Sequence, residues 1–226
     1  MLSFNIGKLD VEKLRKDFPI LSITIAKNIS KNTSKIASKN TTNKIYLDSA
    51  CMSLKPRQIL DEMQKYYEQY TGCAGRSNHD FARLTEEKVN ESRKYVAELI
   101  DAKTPRNIIF TRNATEGINI VAYGLDLKKG DKILISDKEH NSNLIPWLNL
   151  KKRIGIDLAI FKFGNLEDFE NKIKGTKLVS TVHTSNLDGE TQNVLEMIKI
   201  AHEIEAKVLI DGAQSVPHKP ISVRKL

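Results

Sequence analysis

The sequence predicts an α/β fold in which a mainly parallel sheet carries helices on both faces. Two observations carry that expectation. Beyond residue 106, short apolar runs alternate with helical patterns, the signature of parallel strands joined by helical crossovers. Each run is followed at once by a small polar cluster, and in such sheets ligands sit beyond the carboxyl ends of the strands. The composition fits a folded globular chain, with 40% hydrophobic and 28% charged residues.

Taken in order, Asp10–Asp17 has a helical charge pattern that stops at Phe18-Pro19. Ile25–Asn43 is rich in Lys, Asn, Ser and Thr with little apolar periodicity, and reads as a mobile polar excursion. Residues 1–44 are accordingly set apart as an N-terminal helix and polar segment, and 45–226 as one large domain. Ile45-Tyr46-Leu47 is expected to be a short strand running into Asp48-Ser49-Ala50. Pro56 suits a first helical turn, and Ile59, Met63, Tyr66, Tyr67 and Tyr70 follow at helical spacing until Thr71-Gly72. Gly75–His79 is a loop, and Phe81–Ile100 a long helix. Strands are then expected at Asn107–Thr111, Lys132–Ser136, Asp157–Phe161, Lys177–Val182 and Lys207–Ile210. Helices are expected between and around them at Ala114–Tyr123, Asn143–Arg153, Leu166–Lys174 and Val194–Ile204.

Several classes of function lose ground on composition. The net charge is +8, but the lysines are scattered among glutamates without interleaved aromatics, so no nucleic-acid groove is expected. No run approaches the ~20 apolar residues of a membrane span. With no secretory pattern at Met1–Asn5 either, the cytoplasm is the expected location. Cys51 and Cys73 lack metal-site spacing and read as reduced thiols.

The polar clusters carry the chemistry. Arg112-Asn113-Ala114-Thr115-Glu116 lies where a strand gives way to a helix, so free N–H groups and the helix dipole would favour a phosphate there. Asn113 or Thr115 would equally serve as a plain N-cap. His140, in Glu139-His140-Asn141-Ser142-Asn143, could stack on a flat ligand, shuttle a proton, or simply bond the backbone of its loop. His183-Thr184-Ser185-Asn186 crowds another strand end, where turn chemistry is the competing reading. Asp211, at the end of Lys207–Ile210 and before Gly212-Ala213-Gln214-Ser215, needs a cationic partner if buried, either a protonated ring nitrogen or magnesium. Together these clusters fit one flat, phosphorylated heteroaromatic ligand. Neither Gly-x-Gly-x-x-Gly nor a P-loop is present, which disfavours dinucleotides and nucleoside triphosphates.

These residues resemble a known family. Tyr46–Ala50, Ile109–Asn119, Glu139–Trp147, His183–Asn186 and Asp211–His218 are similar to the motifs of class V aminotransferases. They are most similar to those of the cysteine desulfurases of the SufS and selenocysteine lyase branch, which the pairs Pro146-Trp147 and Val216-Pro217-His218 favour. The resemblance implies the large domain of a fold-type-I pyridoxal 5'-phosphate (PLP) enzyme, truncated at its C-terminus. It implies that the Ala114 backbone and Thr115 hold the cofactor's phosphate, and that His140 stacks on the ring and assists proton transfer. It further implies that Asn186 and Gln214 contact the ring hydroxyl, that Asp211 pairs with the ring nitrogen, and that Ala50 lies near the substrate. L-cysteine is the implied substrate, giving alanine and enzyme-bound sulfur. A homodimer, or pairing with a separate C-terminal half, is the implied assembly, and a sulfur-acceptor protein an implied partner. Selenocysteine lysis, epimerisation or transamination is the alternative within the family, and a non-catalytic remnant or interaction module of the same fold the alternative outside it.

The departures matter as well. The family's cofactor-holding lysine follows a Ser-x-His-Lys motif that would come after Val223–Leu226, as would the persulfide cysteine, the carboxylate-binding arginine and a second phosphate-binding Ser/His pair. Lys219 and Lys225 stand outside that motif and read as surface lysines. Cys51 stands where the family usually has alanine. The chain alone is therefore expected to be inactive.

Overall fold

The structure is a computed structural model and describes residues 10–22 and 45–226. The polar stretch Ile25–Asn43 lies outside the described residues. Contacts divide the chain into two units, Met1–Ser92 and Arg93–Leu226.

In the first unit, α1 (Val11–Lys16) is capped by Asp10, whose carboxylate accepts from the Lys13 N–H at 3.0 Å, and carries Lys13, Arg15 and Lys16 in its last turn. Both features match the helix dipole. The helix gives way to a 3₁₀ turn, Pro19–Ser22. The strand expected at Ile45–Leu47 is not formed. The Tyr46 hydroxyl bonds forward to the carbonyls of Asp48 (3.1 Å) and Met52 (2.5 Å), and Ile45 and Leu47 are 80% and 90% exposed. A strand needs a neighbour for its ladder, and none pairs with this segment among the described residues. The next helix, α2 (Arg57–Gln69), follows Pro56 and leads to a close approach at Gly72. A Cβ there would lie 2.7 Å from the Ala82 backbone N, at the start of α3 (Asp80–Leu99), so only glycine fits. The Thr85 hydroxyl bonds the Tyr70 carbonyl at 2.7 Å, tying the two helices together.

The second unit is the α/β sheet. Its strands are β1 (Lys132–Ser136), β2 (Asp157–Phe161), β3 (Thr176–Val182) and β4 (Lys207–Asp211). They pair in parallel in the order β2-β1-β3-β4. The crossovers are α5 (Asn141–Ile154), α6 (Leu166–Ile173) and α7 (Val194–Glu203), while α4 (Ala114–Gly124) precedes β1. The chain moves outward from β1 to β2, then returns past β1 to β3. That reversal sends α5 to one face and α6 and α7 to the other. Ile133 and Ile135 pack with Ile118, Trp147 and Leu150 of α4 and α5. Leu134, between them in sequence, packs with Phe169, Met197 and Ala201 of α6 and α7. The reversal opens a crevice between the carboxyl ends of β1 and β3, the place where such folds bind ligands.

The strand expected at Asn107–Thr111 is also corrected. Asn107 closes a 3₁₀ turn, Pro105–Asn107, and the extended residues after it join no ladder among the described residues. Ile109 is 78% exposed, so apolar content alone did not place it in the sheet. The helix expected from Asn143 begins at Asn141, because the His140 side chain caps it.

Candidate functional site

Three of the candidate residues meet at the starts of α4 and α5. At α4, Asn113 is the cap and accepts from the Glu116 N–H at 2.9 Å. Glu116 turns back to accept from the backbone N–H (2.6 Å) and guanidinium (3.0 Å) of Arg112, which holds its carboxyl below the usual range. With Asn113 as the cap, the N–H groups of Ala114 and Thr115 have no acceptor among the described residues. They present the positive end of the helix to solvent. The Thr115 hydroxyl points across to Ser142 in α5, at 2.6 Å.

His140 Nδ1 accepts from the Ser142 N–H at 3.1 Å and lies 2.9 Å from the Ser142 hydroxyl. A ring nitrogen that accepts a backbone N–H carries no proton, so the neutral imidazole holds its proton on Nε2. Either hydroxyl can donate in the Thr115–Ser142 contact, and the Ser142 hydroxyl lies against both Thr115 and the His140 ring. An anion seat and an imidazole are thereby joined by one hydroxyl. The ring of His140 is otherwise exposed.

Asn186, Asp211 and Gln214 come from the ends of β3 and β4. Asp211 is 7% exposed. Its Oδ1 accepts from the Ala213 N–H at 3.0 Å, and its carbonyl accepts from the His183 N–H at 2.9 Å. Oδ2 has no protein donor among the described residues, leaving one carboxylate oxygen available. A Cβ on the neighbouring Gly212 would meet Val216 Cγ2 at 3.0 Å, so this turn closes tightly beneath the carboxylate. Asn186 is half-buried in a loop closed by a Thr184–Thr191 bridge. Gln214, also half-buried, sits in the turn that follows β4. Half-buried His183 is held below its ordinary pKa by burial and, secondarily, by the charge of Lys219. Across the crevice, Lys138 bonds Asp188 (2.6 Å) and Glu190 (2.5 Å), which push its pKa up to about 12. All six of these candidates thus lie at the carboxyl edge of one parallel sheet. Ala50 belongs to the first unit, in the turn after Asp48.

One residue was quoted in its motif without a role. Glu139, half-buried, accepts from Asn143 Nδ2 (2.7 Å), Thr181 Oγ1 (3.0 Å), the Val182 N–H (3.0 Å) and the Ser136 hydroxyl. Burial pushes its carboxyl up, and these donors oppose the shift. The sequence carries a signal for it: an acid three residues past the end of an apolar strand, with an asparagine four residues on.

Among the described residues no cluster of His, Cys, Asp or Glu could hold a metal, and no helix is long and apolar enough to cross a membrane.

Comparison with known proteins agrees with this geometry. The family profile of class V aminotransferases matches residues 45–226. A probable cysteine desulfurase of Pyrococcus abyssi is 41% identical over 193 residues, covering 82% of this chain and 48% of that protein. A cysteine desulfurase of Escherichia coli is 34% identical over 225 residues, covering 96% of this chain and 52% of that protein. The apo structure of a cysteine desulfurase from Thermococcus onnurineus superposes with a TM-score of 0.82 at 34% identity, over 97% of this chain and 52% of that one. A C-DES variant with glycine linked to its PLP cofactor shares the fold, with a TM-score of 0.75 at 24% identity. The chain spans about half the length of the curated relatives it matches. With the profile match running from residue 45 to 226 and the sheet edge arranged as described, the chain belongs to the class V aminotransferase family.

Proposed function

We propose that the second unit forms a PLP site and that the chain is the N-terminal portion of a cysteine desulfurase-like enzyme. In its complete form the enzyme takes L-cysteine to L-alanine and retains the sulfur. It works as a dimer, or with a separate C-terminal half, and passes sulfur to an acceptor protein.

The residues fit the cofactor's chemistry. The free N–H groups of Ala114 and Thr115 and the Thr115 hydroxyl suit a phosphate dianion. The exposed face of His140 suits a flat ring, and its Nε2 proton is free to move to or from substrate. The open Oδ2 of Asp211 suits a protonated ring nitrogen, a charge-assisted bond. Asn186 and Gln214 supply amides for the ring hydroxyl. Bound there, PLP supplies an electron sink for the substrate's α-carbon.

The observation that carries this reading is the chain Thr115–Ser142–His140, which puts an anion seat beside an imidazole at the crevice. Pyridoxamine 5'-phosphate tests it without forming imines on surface lysines. Binding should quench Trp147, the one tryptophan in the sequence. The phosphorylated compound should bind at least about tenfold tighter than pyridoxamine. Thr115→Val should narrow that gap. Equal binding of the two compounds would overturn the proposal.

A further inference from the structure

Glu139 bridges the crevice between β1 and β3, and the reaction as described assigns it nothing. Its surroundings supply only donors. Thr181 Oγ1 receives the Gln192 amide at 2.7 Å, so the Thr181 proton is left to point at Glu139. Asn143 Oδ1 receives Trp147 Nε1 at 3.2 Å and the Ser180 hydroxyl at 2.5 Å, so the Asn143 amide must turn its NH₂ to Glu139 at 2.7 Å. The Val182 N–H lies 3.0 Å from both carboxylate oxygens, and the Ser136 hydroxyl also donates. Only an acceptor-only group satisfies this set, and a carboxylate is one. Glutamine would set an NH₂ against the Val182 N–H or the Asn143 NH₂. Burial raises the Glu139 pKa, and the four donors favour its ionised form.

Glu139 and His140 share a peptide bond. The His140 carbonyl accepts from the N–H groups of Asn143 (2.8 Å) and Leu144 (3.1 Å), which welds it to the first turn of α5. Among the described residues the imidazole itself bonds only Ser142. Its orientation is therefore inherited from the backbone that Glu139 anchors to β1 on one side and β3 on the other.

We propose that Glu139 is the positioning residue for His140, a carboxylate strap across the crevice that presents the imidazole to the cofactor ring in one orientation. The inference rests on the proposed stacking role of His140. Its ligand is the ring of a pyridoxal-type cofactor, and Glu139 touches neither cofactor nor substrate.

The test is a double-mutant cycle on the full chain with pyridoxamine 5'-phosphate, using E139Q, H140A and the double variant. Affinity is read by Trp147 quenching, ring orientation by circular dichroism induced in the cofactor's absorption band, and folding by far-ultraviolet circular dichroism. Folded E139Q should bind about tenfold more weakly, with a smaller induced signal per bound cofactor. In the H140A background the same change should cost little further affinity, because the residue it positions is gone. Should E139Q not fold, Ser136→Ala, which removes one donor to the carboxylate, takes its place in the cycle with the same expected pattern at smaller amplitude. Wild-type affinity and induced signal in a folded E139Q would overturn the inference, as would penalties that add fully in the double variant. In either case the cofactor site itself would stand. Failure of the wild-type chain to bind would overturn the proposed function and this inference with it.

Discussion

Replacing Asp211 by asparagine isolates one charge. Asn keeps the shape, and its carbonyl oxygen can still accept from the Ala213 N–H that now bonds Oδ1 at 3.0 Å. The backbone bond from His183 to the Asp211 carbonyl, 2.9 Å, does not involve the side chain. The turn after β4 should survive. What disappears is the negative charge on Oδ2, at a residue only 7% exposed, where solvent would do little to replace it. A hydrogen bond to a charged group is worth about 1.5–3 kcal/mol, so affinity for pyridoxamine 5'-phosphate should fall about tenfold to a hundredfold. Equilibrium dialysis measures the affinity, while urea unfolding and far-ultraviolet circular dichroism confirm the fold. If Asp211 does no more than cap the Ala213 N–H, the variant will bind as the wild type does. Equal affinity in two well-folded proteins would refute the pairing with the ring nitrogen.

Other consequences follow from the same geometry. Asn143→Ala would orphan the Ser180 hydroxyl and the Trp147 indole N–H, both on fully buried residues. At about 1–3 kcal/mol for each orphaned donor, the loss should be about 2–6 kcal/mol in urea unfolding, and a loss below about 1 kcal/mol would contradict the network. The His183 pKa is lowered on folding from its ordinary value of 6.5, so the unfolded chain takes up the proton first. Its contribution to stability is present above 6.5 and is lost as pH falls below that value toward the folded pKa. His183→Gln should flatten the stability profile there, and identical profiles would contradict the shift. The chain alone, supplied with PLP and L-cysteine, should release no sulfide above a protein-free control, since its 226 residues contain no Ser-x-His-Lys motif.

Much of this was legible in the sequence because it is local. β1 to β4 are continuous apolar runs, and the crossover helices carry their own caps, such as Asn165 and Asn193. Two expected strands failed for a reason no local pattern carries. Ile45–Leu47 and Asn107–Thr111 have strand-like composition, but a strand exists only with a ladder partner, and none lies beside them among the described residues. The start of α5 was missed because histidine is an unusual cap. At α4 the sequence left Asn113 and Thr115 as rival caps, and the Asn113–Glu116 bond decides between them, freeing Thr115. Glu139 stayed without a role because the Thr181 and Val182 donors lie more than forty residues away in sequence, at the end of β3. Only the tertiary arrangement reveals that everything around it donates.

The central claim is that the sheet edge of the second unit holds one phosphorylated pyridine ring. Equilibrium dialysis of the whole chain against radiolabelled pyridoxamine 5'-phosphate tests it directly, with inorganic phosphate as competitor. The account predicts saturation at one cofactor per chain, with phosphate weakening binding by occupying the start of α4 at Ala114 and Thr115. Binding that never saturates, or that phosphate leaves unchanged, would contradict it.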